Sequence, residues 1–143
     1  DAAAAAAALS KFTMQRCVAA EEHLRGALVM SMKHQKDIDI KTLSSAAAAQ
    51  NLAVFLKCRA DVHHLGGDIG EMYAEARHLY DAALEVRTSK LGSVHPDTVA
   101  TKFSLAELLT VLGDDDGANS LRQEIIDSLE DIEEEDHNAE TAK

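Results

Sequence analysis

Residues able to ligate a metal gather near the middle of the chain, where His63 and His64 are adjacent. Asp61 and Asp68 flank this pair, and His78 follows further along. Metal sites on helices place His residues at i and i+4 or combine them with paired Cys, whereas adjacent side chains diverge on a helix. We therefore expect a solvated helix end here, and we predict that the chain holds no metal and no cofactor.

An acidic turn at Asp114–Gly117 has part of the composition of a calcium-binding loop. If Gly117 takes the place of that loop's invariant glycine, Leu112 and Gln123 fall at its two ends. Both ends need carboxylates to chelate calcium, so the match fails. We expect instead a charged turn whose acidic side chains stabilise the N-terminus of the next helix.

The sequence also lacks the motifs that mark common enzyme sites. The glycine-rich segment Gly66–Gly70 follows a helical pattern and lacks the G-x-G-x-x-G order, and neither a Walker lysine nor G-x-S-x-G occurs. Cys17 and Cys58 form neither C-x-x-C nor a zinc spacing, so we expect two reduced, half-buried thiols. We predict that the chain is not an enzyme.

Composition and charge narrow the fold class and the kinds of partner. The chain has 143 residues, 3% aromatics and one Pro, which suits one helical domain and disfavours an all-β fold. Its 25 acidic and 14 basic residues give a net charge of −11, which argues against direct nucleic-acid binding. No apolar run reaches the length of a transmembrane helix. We expect a soluble intracellular protein, of the cytoplasm or of an organelle such as a mitochondrion or plastid.

A ladder of small and large residues recurs along the chain at helical spacing. The clearest copy is Ala76, Tyr80, Ala83 and Leu84, which share one face of a helix. A degraded copy begins 42 residues later, at Ala118. The other ladders are Ala20, Leu24, Ala27 and Leu28; Leu52, Ala53 and Leu56; and Leu105, Ala106 and Leu109. Such a repeat predicts stacked helical hairpins, because one hairpin buries too little apolar surface to be stable alone.

These ladders resemble the tetratricopeptide repeat (TPR), with Leu-Ala-x-x-Leu-x-x-x-Gly followed by Ala-x-x-x-aromatic-x-x-Ala. The 42-residue period is similar to the kinesin-light-chain type, and the residues that match its pattern are Ala83, Leu84, Arg87, Leu91, Gly92, His95, Pro96 and Asp97. The resemblance spans about residues 16–130 and weakens after Gly113, where Arg122 and Ile125 replace an aromatic and a small residue. It implies an all-α fold, a right-handed TPR-like stack (an α-solenoid) of about two and a half repeats.

The same patterns predict where helices and domains begin and end. We predict helices at about residues 1–13, 16–35, 42–65, 71–91, 96–112 and 116–134. Pro96 suits the first turn of its helix, and Gly113 suits the C-terminal end of the same helix. We expect one repeat domain over residues 1–134, beginning with an Ala-rich partial front helix at residues 1–15, and an acidic polar tail over residues 135–143.

The resemblance implies protein–protein interaction rather than catalysis. We expect a structural or accessory subunit of a larger multiprotein assembly, whose partners are other proteins. The alternative is an adaptor that binds short peptide segments in the concave groove of a TPR array.

Ladder phase places candidate binding residues on the first helix of each hairpin, which lines the groove in TPR arrays. The groove candidates are Ala47, Gln50, Val54, Lys57, Asp61, Ala100, Phe103, Glu107 and Thr110. Some TPR modules clamp acidic tails through Lys, Arg and Asn at such places, and Val54, Phe103 and Glu107 do not fit that role.

A second candidate surface lies at the C-terminal end, where Leu121, Ile125, Leu129 and Ile132 fall on or near one helical stripe. No later helix covers the far side of this stripe, so we expect it to bind protein. The acidic run at residues 130–136 is either a solvated helix end or a docking strip for a basic partner.

Overall fold

The computed structural model describes residues 2–32, 40–62 and 67–141, with side chains up to Glu130. Over these ranges the chain forms five α-helices and no strand, which confirms the predicted all-α class. The helices are α1 (Ala2–Met32), α2 (Leu43–Asp61), α3 (Ile69–Leu91), α4 (Pro96–Val111) and α5 (Asp115–Thr141). None of the helices, as far as the structure describes them, is long and apolar enough to cross a membrane.

Side-chain caps and glycines fix several helix ends. Thr42 Oγ1 accepts the backbone N–H of Ser45 at 3.0 Å, and Ser45 Oγ accepts the N–H of Thr42 at 3.0 Å, which is a reciprocal capping box at the start of α2. Asp68 caps α3 by accepting a backbone N–H at 2.9 Å. Gly92 follows α3 with a φ of 91°, a value that a residue with a side chain rarely adopts.

The fourth helix begins and ends where the sequence predicts. Pro96 occupies its first turn, and His95 Nδ1 accepts the backbone N–H of Asp97 at 3.1 Å. Gly113 follows its C-terminus with a φ of 78°. Both predicted boundaries are confirmed, because Pro has no N–H to leave unpaired in a first turn and Gly tolerates the left-handed conformation.

Two helices are longer than the sequence predicts. α1 is continuous from Ala2 to Met32, although a break is predicted between residues 13 and 16. No Gly or Pro interrupts that segment, and Thr13 Oγ1 donates to the Leu9 carbonyl at 2.8 Å within the same helix. The predicted partial front helix is thus the first half of α1. α5 continues past residue 134 to Thr141, so helix extends into the predicted tail, where Glu and Ala favour it.

Each helix packs against the next one along the chain, and α2 also contacts α4. The α2–α3 interface is the most extensive of these. Both helices carry fully buried alanines, which let helix backbones approach closely, and larger side chains fill the flanks. The alanines are Ala46, Ala49, Ala53, Ala60, Ala76 and Ala83, and the largest flanking side chains are Leu52, Leu56 and Tyr80.

Enlarging one buried alanine tests this packing. Ala83 is fully buried in α3, so Ala83→Leu should overpack the interface and lower the free energy of unfolding by about 1–3 kcal/mol. Ala74 is exposed on the same helix, and Ala74→Leu serves as the matched control. Urea denaturation measures both variants. Equal stability of Ala83→Leu and the native protein would show that this position does not lie at a close crossing.

Candidate interaction surfaces

A side-chain hydrogen bond joins α2 to α4, which contact each other. Thr101 Oγ1 of α4 donates to Gln50 Oε1 of α2 at 2.9 Å. Further along both helices, a hydrogen bond to Asp61 and, more weakly, the charge of Glu107 raise the pKa of the Lys57 ammonium.

Val54 on α2 and Phe103 on α4 are both exposed. Val54 lies about one turn before Lys57 on α2, and Phe103 lies one turn before Glu107 on α4. The Phe103 side chain is 56% exposed. These two groove candidates are therefore exposed apolar residues on two helices that contact each other, and we call them the α2–α4 strip.

Gln50 is a groove candidate that the fold itself uses. Arg87 of α3 is buried, and its guanidinium donates to Gln50 Oε1 and, at 2.7 Å, to Thr101 Oγ1. The same guanidinium donates to the Asp97 carbonyl at 3.1 Å. This network satisfies a buried charge with three acceptors on two neighbouring helices, so Gln50 helps to hold α2, α3 and α4 together.

Lys57 and Asp61 are also bonded to each other. Lys57 Nζ donates to Asp61 Oδ2 at 2.9 Å, and the Tyr73 hydroxyl donates to Asp61 Oδ1 at 2.7 Å. The hydrogen bond to Asp61, together with burial, raises the pKa of Tyr73 to about 12. Of the remaining groove candidates, Ala47 is half-buried, whereas Ala100 and Thr110 are exposed.

Polar contacts hold α5 to α4 where the repeat pattern is degraded. Arg122 stands where the family pattern expects an aromatic residue, and its guanidinium donates to Thr110 Oγ1 at 2.8 Å. Nearby, Nζ of the buried Lys102 lies 3.0 Å from Glu124 Oε2. These two contacts therefore join α5 to α4 through polar side chains.

The predicted apolar stripe on α5 is partly buried and partly exposed; the side chain of Ile132 lies outside the described residues. Leu121 packs against the core and Ile125 is half-buried, whereas Leu129 is 48% exposed. Ile126, which the predicted binding residues omit, is 47% exposed. Ile126 and Leu129 are three residues apart and so lie on one side of α5. We call this pair the α5 patch. Ile126 directly follows Ile125 in the sequence, so the apolar pattern of this segment indicates it as well.

A cleft of about 480 Å³, which the sequence pattern does not predict, lies between the first half of α1 and α2. The α1 side chains are spaced along one helical face, and α2 contributes a phenylalanine. They are Leu9, Phe12, Thr13, Arg16, Cys17, Ala20 and Phe55. Leu9 is 67% exposed and Phe12 is 55% exposed. The Arg16 guanidinium carbon lies 5.7 Å from the centre of the Phe12 ring, a cation–π distance.

An ion-pair network fastens the second half of α1 to α2 and α3. Arg25 forms a bidentate pair with Glu75 of α3, with N···O distances of 2.5 and 2.7 Å. Arg25 also donates to Glu21 at 2.9 Å, and Glu21 accepts from Arg59 of α2. The hydrogen bond from Arg25 lowers the pKa of the Glu75 carboxyl below its usual 4.5. The network joins the second half of α1 to both α2 and α3.

No metal centre forms within the described ranges, where no group of three or more His, Cys, Asp or Glu side chains is arranged to hold an ion. Two residues of the predicted solvated helix end, His63 and His64, lie outside those ranges, and so does Gly66. Cys17 is half-buried as expected, but Cys58 is exposed, because it lies on the outward side of α2; both are free thiols.

No protein-family model matches the chain, and no curated protein matches it. The resemblance to the kinesin-light-chain type of TPR therefore stays a prediction from the residues.

The Arg25–Glu75 pair makes stability depend on pH. Because the folded pKa of Glu75 is lowered, its contribution is complete above the usual value of 4.5 and is lost as pH falls through the folded pKa. Glu75→Gln should lower the free energy of unfolding at pH 7 by up to about 1 kcal/mol, the usual size for exposed pairs. The difference from the native protein should shrink in acid.

Urea denaturation at neutral and acidic pH measures this difference. The control is Glu85→Gln, since Glu85 is exposed on the same helix and has no ion pair among the described residues. A Glu75→Gln difference that does not change with pH would contradict the assignment.

Proposed function

We propose that this chain is a non-catalytic protein–protein interaction module, built as a structural or accessory subunit into a larger assembly. Each helix packs on the next, so α1 and α5 are the two ends of a row of helices. The observation that carries the proposal is the exposure of large apolar side chains at both of these ends. Leu9 and Phe12 lie uncovered on α1, and Ile126 and Leu129 lie uncovered on α5. Exposed apolar patches that are bounded by charged residues usually mark binding sites.

The proposal includes a TPR-like stack of about two and a half repeats. In it, α1 is the second helix of a partial front repeat, and α2–α3 and α4–α5 are the two hairpins that follow. The packing of each helix on the next, and of α2 on α4, supports this arrangement. Burial at equivalent ladder positions supports it as well: Leu52, Ala53 and Leu56 on α2, and Leu105, Ala106 and Leu109 on α4.

A stack of this kind explains why its ends are apolar. An internal helix is covered by neighbours on two sides, whereas the first and last helices have a neighbour on one side only. α1 and α5 hold these positions, so the apolar residues on their outer sides lie open to a partner. The charged residues around them keep the ends in solution without covering them.

The α2–α4 strip supports a second candidate function. Val54 and Phe103 are exposed on two helices that contact each other, with Lys57 about one turn from Val54 and Glu107 one turn from Phe103. An extended peptide with an apolar side chain could lie along this strip, which is the adaptor function that the groove residues predict.

Affinity capture from native extract separates the two functions. Leu129→Asp places a charge in the α5 patch, and Phe103→Ala removes the aromatic side chain from the α2–α4 strip. Ser120→Asp adds the same charge at an exposed position elsewhere on α5 and is the matched control. We expect Leu129→Asp to lower partner recovery at least ten-fold, because the new charge would be buried against the partner in the complex. Phe103→Ala and Ser120→Asp should retain the partner.

The other outcomes are equally informative. Loss with Phe103→Ala alone supports the peptide-binding adaptor and contradicts the subunit. Recovery of every partner by both variants contradicts both functions. Circular dichroism of each variant checks that the helices remain folded.

A further inference from the structure

The two ends of the row of helices carry opposite charge. Residues 2–20 of α1 contain Lys11 and Arg16 and no acidic residue. Residues 115–130 of α5 contain five acidic residues and one basic residue, Arg122. A surface that attracts acidic groups therefore lies at one end, and a surface that attracts basic groups lies at the other.

Both ends also carry exposed apolar side chains. The α1–α2 cleft is a concave apolar site lined by Leu9, Phe12 and Phe55, with Arg16 among its lining residues. The α5 patch is also apolar, because Ile126 and Leu129 lie on an exposed side of α5. Asp127 and Glu130 adjoin the patch along the chain, and both are exposed.

We propose that copies of this chain associate head to tail, with the α5 patch of one copy seated in the α1–α2 cleft of the next. Ile126 and Leu129 enter the apolar cleft, and the acidic residues beside them face the basic side of α1. The inference rests on the proposed function and names the partner as a second copy of the chain.

Charge explains why the contact joins unlike ends. Two α1 surfaces facing each other would bring Lys11 and Arg16 of both copies together, and two α5 surfaces would bring acidic residues together. Like charges placed opposite one another oppose association, whereas the α1–α5 pairing brings opposite charges together. Such a contact is heterologous, so every copy keeps one free cleft and one free patch and the assembly can grow.

Sedimentation velocity over a concentration series tests the contact with two variants. Phe12→Asp disables the cleft and Leu129→Asp disables the patch; each side chain is about half exposed, so the fold should tolerate either change. We expect the native protein to grow beyond a dimer as its concentration rises, and each variant alone to stay monomeric. Ser120→Asp should associate as the native protein does.

An equimolar mixture of the two variants gives the sharpest outcome. One variant has an intact patch and the other has an intact cleft, so together they form a single contact. We expect the mixture to reach the mass of a dimer and no more, and added salt to weaken that dimer. The pair Leu9→Glu and Ile126→Glu repeats the test if either first variant is unfolded by circular dichroism.

Three results would overturn the proposal. They are a native protein that stays monomeric throughout the series, a mixture that stays monomeric, and a Leu129→Asp variant that still dimerises. The last would indicate a contact between two α1 surfaces. If the native protein is monomeric while Leu129→Asp still loses partners in affinity capture, self-association fails and the proposed interaction function stands.

Discussion

The close approach of α2 to α3 is the constraint on which the positions of the other helices depend. Fully buried alanines on both helices remove side-chain bulk from the interface, and Leu52, Leu56 and Tyr80 fill the space beside them. α2 also contacts α1 and α4, and α4 in turn contacts α5. A change that separates α2 from α3 would therefore move the surfaces on α1, α4 and α5 as well.

Polar contacts also join α2 and α3 to the neighbouring helices α1 and α4. The pair between Glu21 and Arg59 and the pair between Arg25 and Glu75 fasten the second half of α1. The buried guanidinium of Arg87 links α3 to α2 and α4. Exposed apolar side chains lie on α1 and α5, and Val54 and Phe103 are exposed on α2 and α4. In the proposed function, the exposed sides of α1 and α5 are the binding surfaces.

Sequence patterns predict the local features of this fold and miss those that depend on distant residues. Pro96 and Gly113 act through their own backbone conformation, so the sequence predicts the ends of α4 correctly. Gln50 is predicted as a groove residue, but Arg87 lies 37 residues away and no local pattern pairs them. The α1–α2 cleft is missed for the same reason, because Phe55 comes from a different helix than the rest of its lining.

Amide hydrogen exchange at low and high protein concentration tests both the packing of α2 on α3 and the proposed association of copies most directly. We expect amides of α2 and α3 to exchange slowest at both concentrations, because these two helices share the most extensive interface. We also expect residues 9–20 and residues 121–130 to gain protection together as the concentration rises. Exchange at these two segments that does not change with concentration, or a first half of α1 as protected as α2 in dilute solution, would contradict the account.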